Sequence, residues 1–445
     1  MMHINLPEKV ENIISTIESG GYEAYAVGGC VRDSILGRIP DDWDITTSAS
    51  PQQVKSLFKH TIDTGIQHGT VTVMLGREGF EVTTYRIDGE YENSRHPKEV
   101  TFTSNLKEDL KRRDFTINAM AYNSRSGLVD VFGGLEDIGR KLIRCVGGPE
   151  ERFGEDALRM MRAVRFSAQL GYAIEGGTER AIRKMAGNLR HISAERIQTE
   201  LVKLLVSPHP DYLRICYDTG ITKIVLPEFD RCMETAQNHP HHCYTVGEHI
   251  LHSLKEVEGD KVLRLAMLFH DMGKPETKET DKNGKDHFHG HSAAGERMAR
   301  QVLHRLRFDN DTVYKVCRLV LYHDYPVEAK AKSVRRAVHK IGEDIFPCLF
   351  AIKRADILAQ SDYRKDEKLK KLEEIRVIYE RILEEQQCVS LHTLAVTGRD
   401  LIEAGMKPGR ELGETLERLL EIVLEHPEEN EKDKLLEYVR RAHRS

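Results

Sequence analysis

The 445-residue chain has no paired cysteines: its eight (Cys30, Cys145, Cys216, Cys232, Cys243, Cys317, Cys348 and Cys388) are scattered and form no C-x-x-C. That excludes a disulfide scaffold, argues against a cysteine-built zinc site, and makes the reducing cytoplasm the expected location. No apolar run is long enough to span a bilayer, and Met1–Pro7 lacks a basic start, so neither a membrane segment nor a signal peptide is expected. A basic excess is missing too. Lys and Arg total 66 against 71 Asp and Glu, a formal net charge of −5. Any nucleic-acid partner must therefore be met by a local basic patch.

What is present is a chain too long for one ordinary core; two to four domains are expected. Up to about residue 140, helix and strand signals alternate. Pro7–Ser19 is an amphipathic helix and Glu23–Val27 a short buried strand. Pro51–Lys59 is a helix with Ser50 as N-cap. His68–Leu75 and Phe80–Tyr85 form a hairpin turning at Gly76–Gly79. This predicts an α+β domain on a mixed sheet. From about Pro149 β signals nearly vanish and helical periodicity takes over, with a charged helix over Arg364–Gln387.

The richest stretch is Val27-Gly28-Gly29-Cys30-Val31-Arg32-Asp33, followed by Asp42-Trp43-Asp44. A glycine pair at a strand-to-helix turn leaves backbone N–H groups to cradle phosphate, and Arg32 adds charge. Carboxylates at i, i+2 on a strand point the same way and can share metal ions. Asp42 and Asp44 are the expected ligands, and Mg²⁺ suits hard oxygen donors and triphosphates. Either half alone is commonly a plain turn or a decorated loop; their order together is far more specific.

On these residues the chain resembles the class II tRNA nucleotidyltransferases, or CCA-adding enzymes, and their bacterial poly(A) polymerase relatives. Asp88–Pro97 is similar to the family's flexible loop, which helps switch from C to A addition, although His96 stands where relatives commonly carry arginine. Arg112–Ala119 is similar to the ribose-selecting motif, which implies that Arg113 and Asp114 bind nucleotide.

In Glu155–Arg165, Asp156, Arg159, Arg162 and Arg165 recur every third residue, along one slowly rotating helix face. Such spacing ordinarily means an exposed helix with an Asp–Arg ion pair. The functional reading is that Asp156 and Arg159 imitate a complementary base: the carboxylate accepts from the exocyclic amine of C or A while arginine donates to ring nitrogen and carbonyl. The segment resembles the family's nucleotide-selecting motif, and Arg162 and Arg165 are then expected to meet phosphate. Ser193–Leu201 resembles the supporting neck and Leu391–Arg410 the tail, where the resemblance implies contacts to tRNA shape.

Between about 240 and 360 the chain is rich in histidine. His242, His270-Asp271, His291, His323 and Asp356 follow the order H…HD…H…H…D, with His270-Asp271 at the end of an apolar helical run. His239, His241, His249, His287 and His289 compete for these places, and a lone histidine is a weak metal signal. The pattern resembles the HD phosphohydrolase superfamily, which implies one or two transition metals (Ni, Mn, Co or Zn) activating a hydroxide toward a phosphoester.

The expected architecture is thus a polymerase β-like α+β nucleotidyltransferase head (1–140) followed by all-α parts. These are a neck and body (141–235), an HD metal-binding domain (236–365) and a tRNA-binding tail (366–445). The expected function is template-independent addition of CCA to the tRNA 3′ end from CTP and ATP. The alternatives are an A-adding enzyme or poly(A) polymerase, or mainly an HD phosphohydrolase with an RNA-binding module. The sequence leaves the oligomeric state open.

Overall fold

Pro7 precedes the first helix, Glu8–Ser19, whose Val10, Ile13, Ile14 and Ile17 form one buried stripe. The computed structural model describes residues 3–89, 91–92, 96–97, 100–238 and 243–442. Two compact units divide the chain, Met1–Asp230 and Arg231–Ser445.

The first unit is built on a seven-stranded sheet. Its strands are β1 (Ala24–Val27), β2 (Ile45–Thr47), β3 (Thr61–Gly65), β4 (Thr70–Leu75), β5 (Glu78–Thr84), β6 (Met120–Asn123) and β7 (Gly127–Asp130). The order is β7-β6-β1-β2-β5-β4-β3, and the sheet is mixed because β2 and β5 run parallel while its other pairs are antiparallel. The β4–β5 hairpin turns more tightly than the sequence suggests. Leu75 pairs with Glu78 across Gly76-Arg77, and Gly76 takes a φ of +68° that suits a two-residue turn. Pro51–Leu57 starts as expected, with Ser50 and Gln53 in a capping box.

Register fixes the working edge of this sheet. Ala26 lies opposite both Tyr122 and Ile45, so the C-terminal end of β1 meets the segment entering β2. Asp42 and Asp44 sit on that lead-in rather than on the strand itself, which begins at Ile45. Of the loop Asp88–Pro97, Tyr91–Glu92 pairs with His96–Pro97, and residues 90 and 93–95 lie outside the described residues.

The helix expected over Glu155–Arg165 is broken. Pro149–Glu155 stops at Asp156, whose φ of −142° and ψ of 104° are extended, and a second helix runs from Leu158 to Leu170. Asp156 Oδ1 accepts from the Leu158 N–H at 3.1 Å, which makes it a cap between two helices instead of a mid-helix residue.

In the second unit the helix Lys261–Phe269 is almost wholly buried, from Leu263 through Phe269. It packs against Val246–Glu256, Asn310–Tyr322 and Cys348–Leu358, and the latter also packs against Lys365–Glu384. This unit is not purely helical: Glu279–Thr280 pairs with Asp286–His287. Beyond, helices Gly398–Glu403, Arg410–Glu425 and Lys432–Ala442 close over Val396, Leu401, Leu420, Leu424 and Leu435. Among the described residues no helix is long and apolar enough to cross a membrane.

Candidate functional site

The first unit gathers its polar groups where β1 ends. Gly28 takes a φ of +88° that favours glycine, and a Cβ there would lie 2.9 Å from an Arg113 guanidinium nitrogen, which would have to move aside. Its N–H donates to Met120 O at 3.1 Å, and Val27 N–H donates to Asp44 O at 3.0 Å. The helix Gly29–Ile35 begins at this turn. Arg32 donates to Asn118 Oδ1 at 2.6 Å and to both carboxylate oxygens of Asp33.

Asp44 is solvent-exposed on one side. The protein crowded behind it and the charge of Asp42 hold its carboxyl above the usual range, with Arg113 opposing. Arg113 lies 3.8 Å from the buried Asp109, and its Nε has no hydrogen-bond partner among the described residues. A cation left short of partners above a glycine turn and beside two carboxylates is arranged for a phosphate–metal ligand. Asp109 also accepts from Thr46 Oγ1 at 3.1 Å and pairs with Arg112 at 2.9 Å, which ties β2 to the Arg112–Asp114 segment.

Asp114 joins this edge to the helices. Its Oδ2 receives Arg162 at 2.6 and 2.8 Å, and its Oδ1 accepts from the Phe115 N–H at 2.8 Å. Burial pushes the carboxyl up, but the guanidinium groups of Arg162 and Arg159 outweigh it and bring the pKa down to about 2.

Asp156 and Arg159 are both held by counter-charges. Arg196 reaches the two oxygens of Asp156 at 2.7 and 3.3 Å, and Arg159 pairs with Glu155 at 2.5 Å and donates to Arg112 O at 3.0 Å. Arg165 departs from the expected open face: it is buried, pairs with Glu200 at 2.8 Å and lies 3.6 Å over the Phe166 ring. Its guanidinium is thus turned into the protein rather than toward a phosphate. The supporting residues Asp109, Glu155, Arg196 and Glu200 were not singled out by motif. Arg196 and Glu200 sit one turn apart on the helix Ala194–Leu205, within the segment expected to act as the neck.

The second unit brings His249, His270, Asp271, His291, His323 and Asp356 together. His242 lies outside the described residues; among the described residues His249 joins the cluster. The ring atoms of His270, His291 and His323 follow one rule: each Nδ1 donates to the carbonyl three residues earlier, Met267, Phe288 and Val320, at 2.6, 2.8 and 2.7 Å. That fixes the tautomer and leaves Nε2 as a bare lone pair. Yet His291 Nε2 faces His323 Nε2 at 3.2 Å, and His270 Nε2 faces His249 Nε2 at 3.2 Å. Burial and the neighbouring imidazoles push His323 down to about 3, so it stays neutral.

Asp271 divides the cluster. Its Oδ2 lies 3.4 Å from the Nε2 atoms of His249 and His270, and its Oδ1 lies 3.6 and 3.8 Å from those of His291 and His323. Oδ2 is 2.7 Å from Lys274 Nζ but accepts no hydrogen bond of proper geometry. Asp356 adds a carboxylate 2.9 Å from His249. The Nε2 atoms of His291 and His323 face each other as lone pairs beside buried Asp271, while His249 Nε2 lies against Asp356. The donor atoms of His249, His270 and Asp271, and those of Asp271, His291 and His323, are close enough to share a cation.

Three family models match the chain: the Poly A polymerase head domain over residues 24–144, the "Probable RNA and SrmB- binding site of polymerase A" over 171–233, and tRNA nucleotidyltransferase domain 2 over 291–439. The CCA-adding enzyme of Lactobacillus helveticus is 38% identical over 439 residues, spanning 97% of this chain and 96% of that protein. The CCA-adding enzyme of Lactiplantibacillus plantarum is 56% identical over 198 residues, 44% of this chain and 49% of that protein. Among solved structures, the Bacillus stearothermophilus CCA-adding enzyme in complex with CTP aligns with a TM-score of 0.73 at 32% identity, covering 98% of this chain and 96% of that one. With a relative of that identity aligned along almost its whole length, this chain belongs to the CCA-adding enzymes, the tRNA nucleotidyltransferases.

Proposed function

We propose that the chain adds C, C and A to tRNA 3′ ends from CTP and ATP without a template, with Asp42 and Asp44 of the first unit as the Mg²⁺ ligands. In each step the terminal 3′-hydroxyl oxygen bonds to the α-phosphorus, the bond to the β-phosphate oxygen breaks, pyrophosphate leaves and the hydroxyl proton passes to solvent. Bound Mg²⁺ offsets phosphate charge and favours ionisation of the hydroxyl. Gly28 and Gly29 let the backbone approach the triphosphate, while Arg113 supplies charge there and Arg32 is held at the turn by Asp33 and Asn118.

Asp114 and Arg162 bind the nucleotide's ribose side as a pair. Asp156 accepts the exocyclic amine of C or A and Arg159 donates to the ring, a pattern that G and U do not answer. Arg165 acts through Glu200, by fixing the helix that carries Arg159 and Arg162. The observation that carries the reading is the convergence of Asp44, Arg113 and Gly28 on one turn in a chain of this family. A cytoplasmic protein meets both tRNA and nucleotides. The test supplies tRNA lacking CCA, ending in C, or ending in CC, with CTP and ATP separately and together. Stepwise completion of all three is expected; no extension of any rejects the reading, and extension of the CC-ended tRNA alone selects an A-adding enzyme.

A second activity is favoured by the facing Nε2 pairs of the histidine cluster. His249, His270, Asp271 and Asp356 hold one transition metal ion and Asp271, His291 and His323 a second, for hydrolysis of a phosphoester. Metal analysis of the purified protein, with His270→Ala plus Asp271→Ala as control, tests the site. Loss of phosphoesterase activity in that variant, with tRNA extension kept, tests the chemistry.

A further inference from the structure

The cluster opens into a cavity of about 710 Å³ lined by two helices whose inner faces change character in the same sense. On Cys348–Leu358 and its flanks, Phe346, Phe350, Lys353 and Asp356 fall three to four residues apart and line it together. With a rise of about 1.5 Å per residue, Lys353 stands about one turn from the metal-side carboxylate of Asp356 and about one turn from the Phe350 ring. On the neighbouring helix Lys365–Glu384, Lys368 and Lys371 are followed by Leu372 and Ile375.

The two helices are matched end to end. Asp356 accepts from Gln360 Nε2 at 3.0 Å, and Gln360 Oε1 receives Lys368 Nζ at 2.6 Å. At the other end Phe346 and Phe350 meet the Tyr379 ring at 5.1 and 5.8 Å. Beside the cluster the cavity is charged, with Lys353, Lys368 and Lys371 set among the carboxylates Asp324 and Asp356 that the proposed metal would offset, and beyond it the cavity is apolar. Lys353 Nζ donates to Tyr325 O at 2.9 Å, and an ammonium has two further protons to offer.

We propose that Lys353, with Lys368 and Lys371, holds the phosphate of a monoester whose flat aromatic or heteroaromatic group lies between Phe350 and Leu372. Lys353 is then a binding residue that presents the phosphorus to the histidine–aspartate cluster. The inference rests on the reading of that cluster as a metal phosphoesterase centre. A volume of about 710 Å³ accepts a group the size of a nucleoside with its phosphate, well within the usual range for small-molecule sites.

The test titrates the metal-loaded full chain with phenylphosphonate, methylphosphonate and inorganic phosphate, none of which the cluster can cleave, by calorimetry. Phenylphosphonate is expected to bind about 10-fold more tightly than methylphosphonate, and Phe350→Ala to erase that preference. Lys353→Met, close in shape, is expected to weaken all three about 10-fold with metal content unchanged. Equal affinity for the two phosphonates in the wild-type protein, or unchanged affinity in Lys353→Met, overturns the inference. Metal analysis of the same samples separates the two failures: an unloaded cluster overturns the metal reading, whereas a loaded cluster with no anion preference overturns only this one.

Discussion

Arg196 grips both carboxylate oxygens of Asp156, at 2.7 and 3.3 Å, across 40 residues of sequence. The role proposed for Asp156, accepting from an exocyclic amine, requires a carboxylate held still, and Asp156 sits at a break between helices with no regular backbone to fix it. Arg196→Ala frees the carboxylate to turn. We expect kcat/KM for CTP and ATP to fall about 30-fold, with misincorporation of G and U rising, because one charge-assisted contact supplies about 2 kcal/mol. Unchanged nucleotide choice in single-turnover extension assays would show that Asp156 needs no such clamp.

Gly28→Ala couples strain to chemistry. The substitution meets a φ of +88° and places a methyl 2.9 Å from the Arg113 guanidinium. Backbone strain should lower stability by about 1 to 2 kcal/mol. Displacement of Arg113 should lower kcat by about 100-fold while tRNA binding persists. Filter binding alongside extension separates the two effects.

Local features of this fold were readable in advance because local chemistry encodes them. Ser50 before Pro51, the strand leading to Gly28 and the hairpin at Gly76 each rest on residues a few positions apart. Asp156 shows where such reasoning stops: triplet spacing implies a continuous helix, but an aspartate that bonds the N–H two residues on competes with helical hydrogen bonding and ends it. The grips on Asp156 and Arg165 come from Arg196 and Glu200, 40 and 35 residues away, and no periodicity carries that information. His249 did leave a trace. It falls on the buried face of Val246–Glu256 with Val246, Ile250 and Ser253, where a ligand is rigidly placed.

Asp114 gives a pH dependence with a definite sign. Its carboxyl lies at about 2 in the folded protein against an ordinary value of 3.8, because Arg162 and Arg159 outweigh the opposing effect of burial. A depressed folded value stabilises the protein above the unfolded value, and that stabilisation is lost as pH falls from about 4 through about 2. Trp43, the only tryptophan, reports unfolding of this unit. Asp114→Asn should cost about 2 kcal/mol in urea unfolding at pH 7, and the difference from wild type should shrink steadily below pH 4. A difference that stays constant with pH would place the effect in packing instead.

Asp42→Asn and Asp44→Asn remove charge while keeping volume. Each is expected to reduce nucleotide addition at least about 1,000-fold with little change in thermal stability, since both carboxylates are solvent-exposed. The phosphoesterase activity proposed for the second unit is expected to stay at the wild-type rate in these variants, so that the two centres work separately. Parallel loss of both activities contradicts the assignment.

Metal removal should act on the second unit through its imidazoles. His270 is wholly buried, its Nδ1 is committed to Met267 O, and its Nε2 faces that of His249 at 3.2 Å, with Asp271 and Asp356 as the carboxylates beside the pair. A ligand that binds only the folded form stabilises it by about 4 kcal/mol when present at 1,000 times its dissociation constant. Chelation by EDTA should therefore lower the calorimetric transition of Arg231–Ser445, and readdition of Mn²⁺, Co²⁺, Ni²⁺ or Zn²⁺ should restore it. His270→Ala should abolish the response while tRNA extension in excess Mg²⁺ stays within about 2-fold of wild type, because no side chain of the first centre changes. A transition indifferent to chelator and to added metal would mean that the facing nitrogens are relieved by protonation of one imidazole, and the cluster would then be a buried ion-pair network around Asp271.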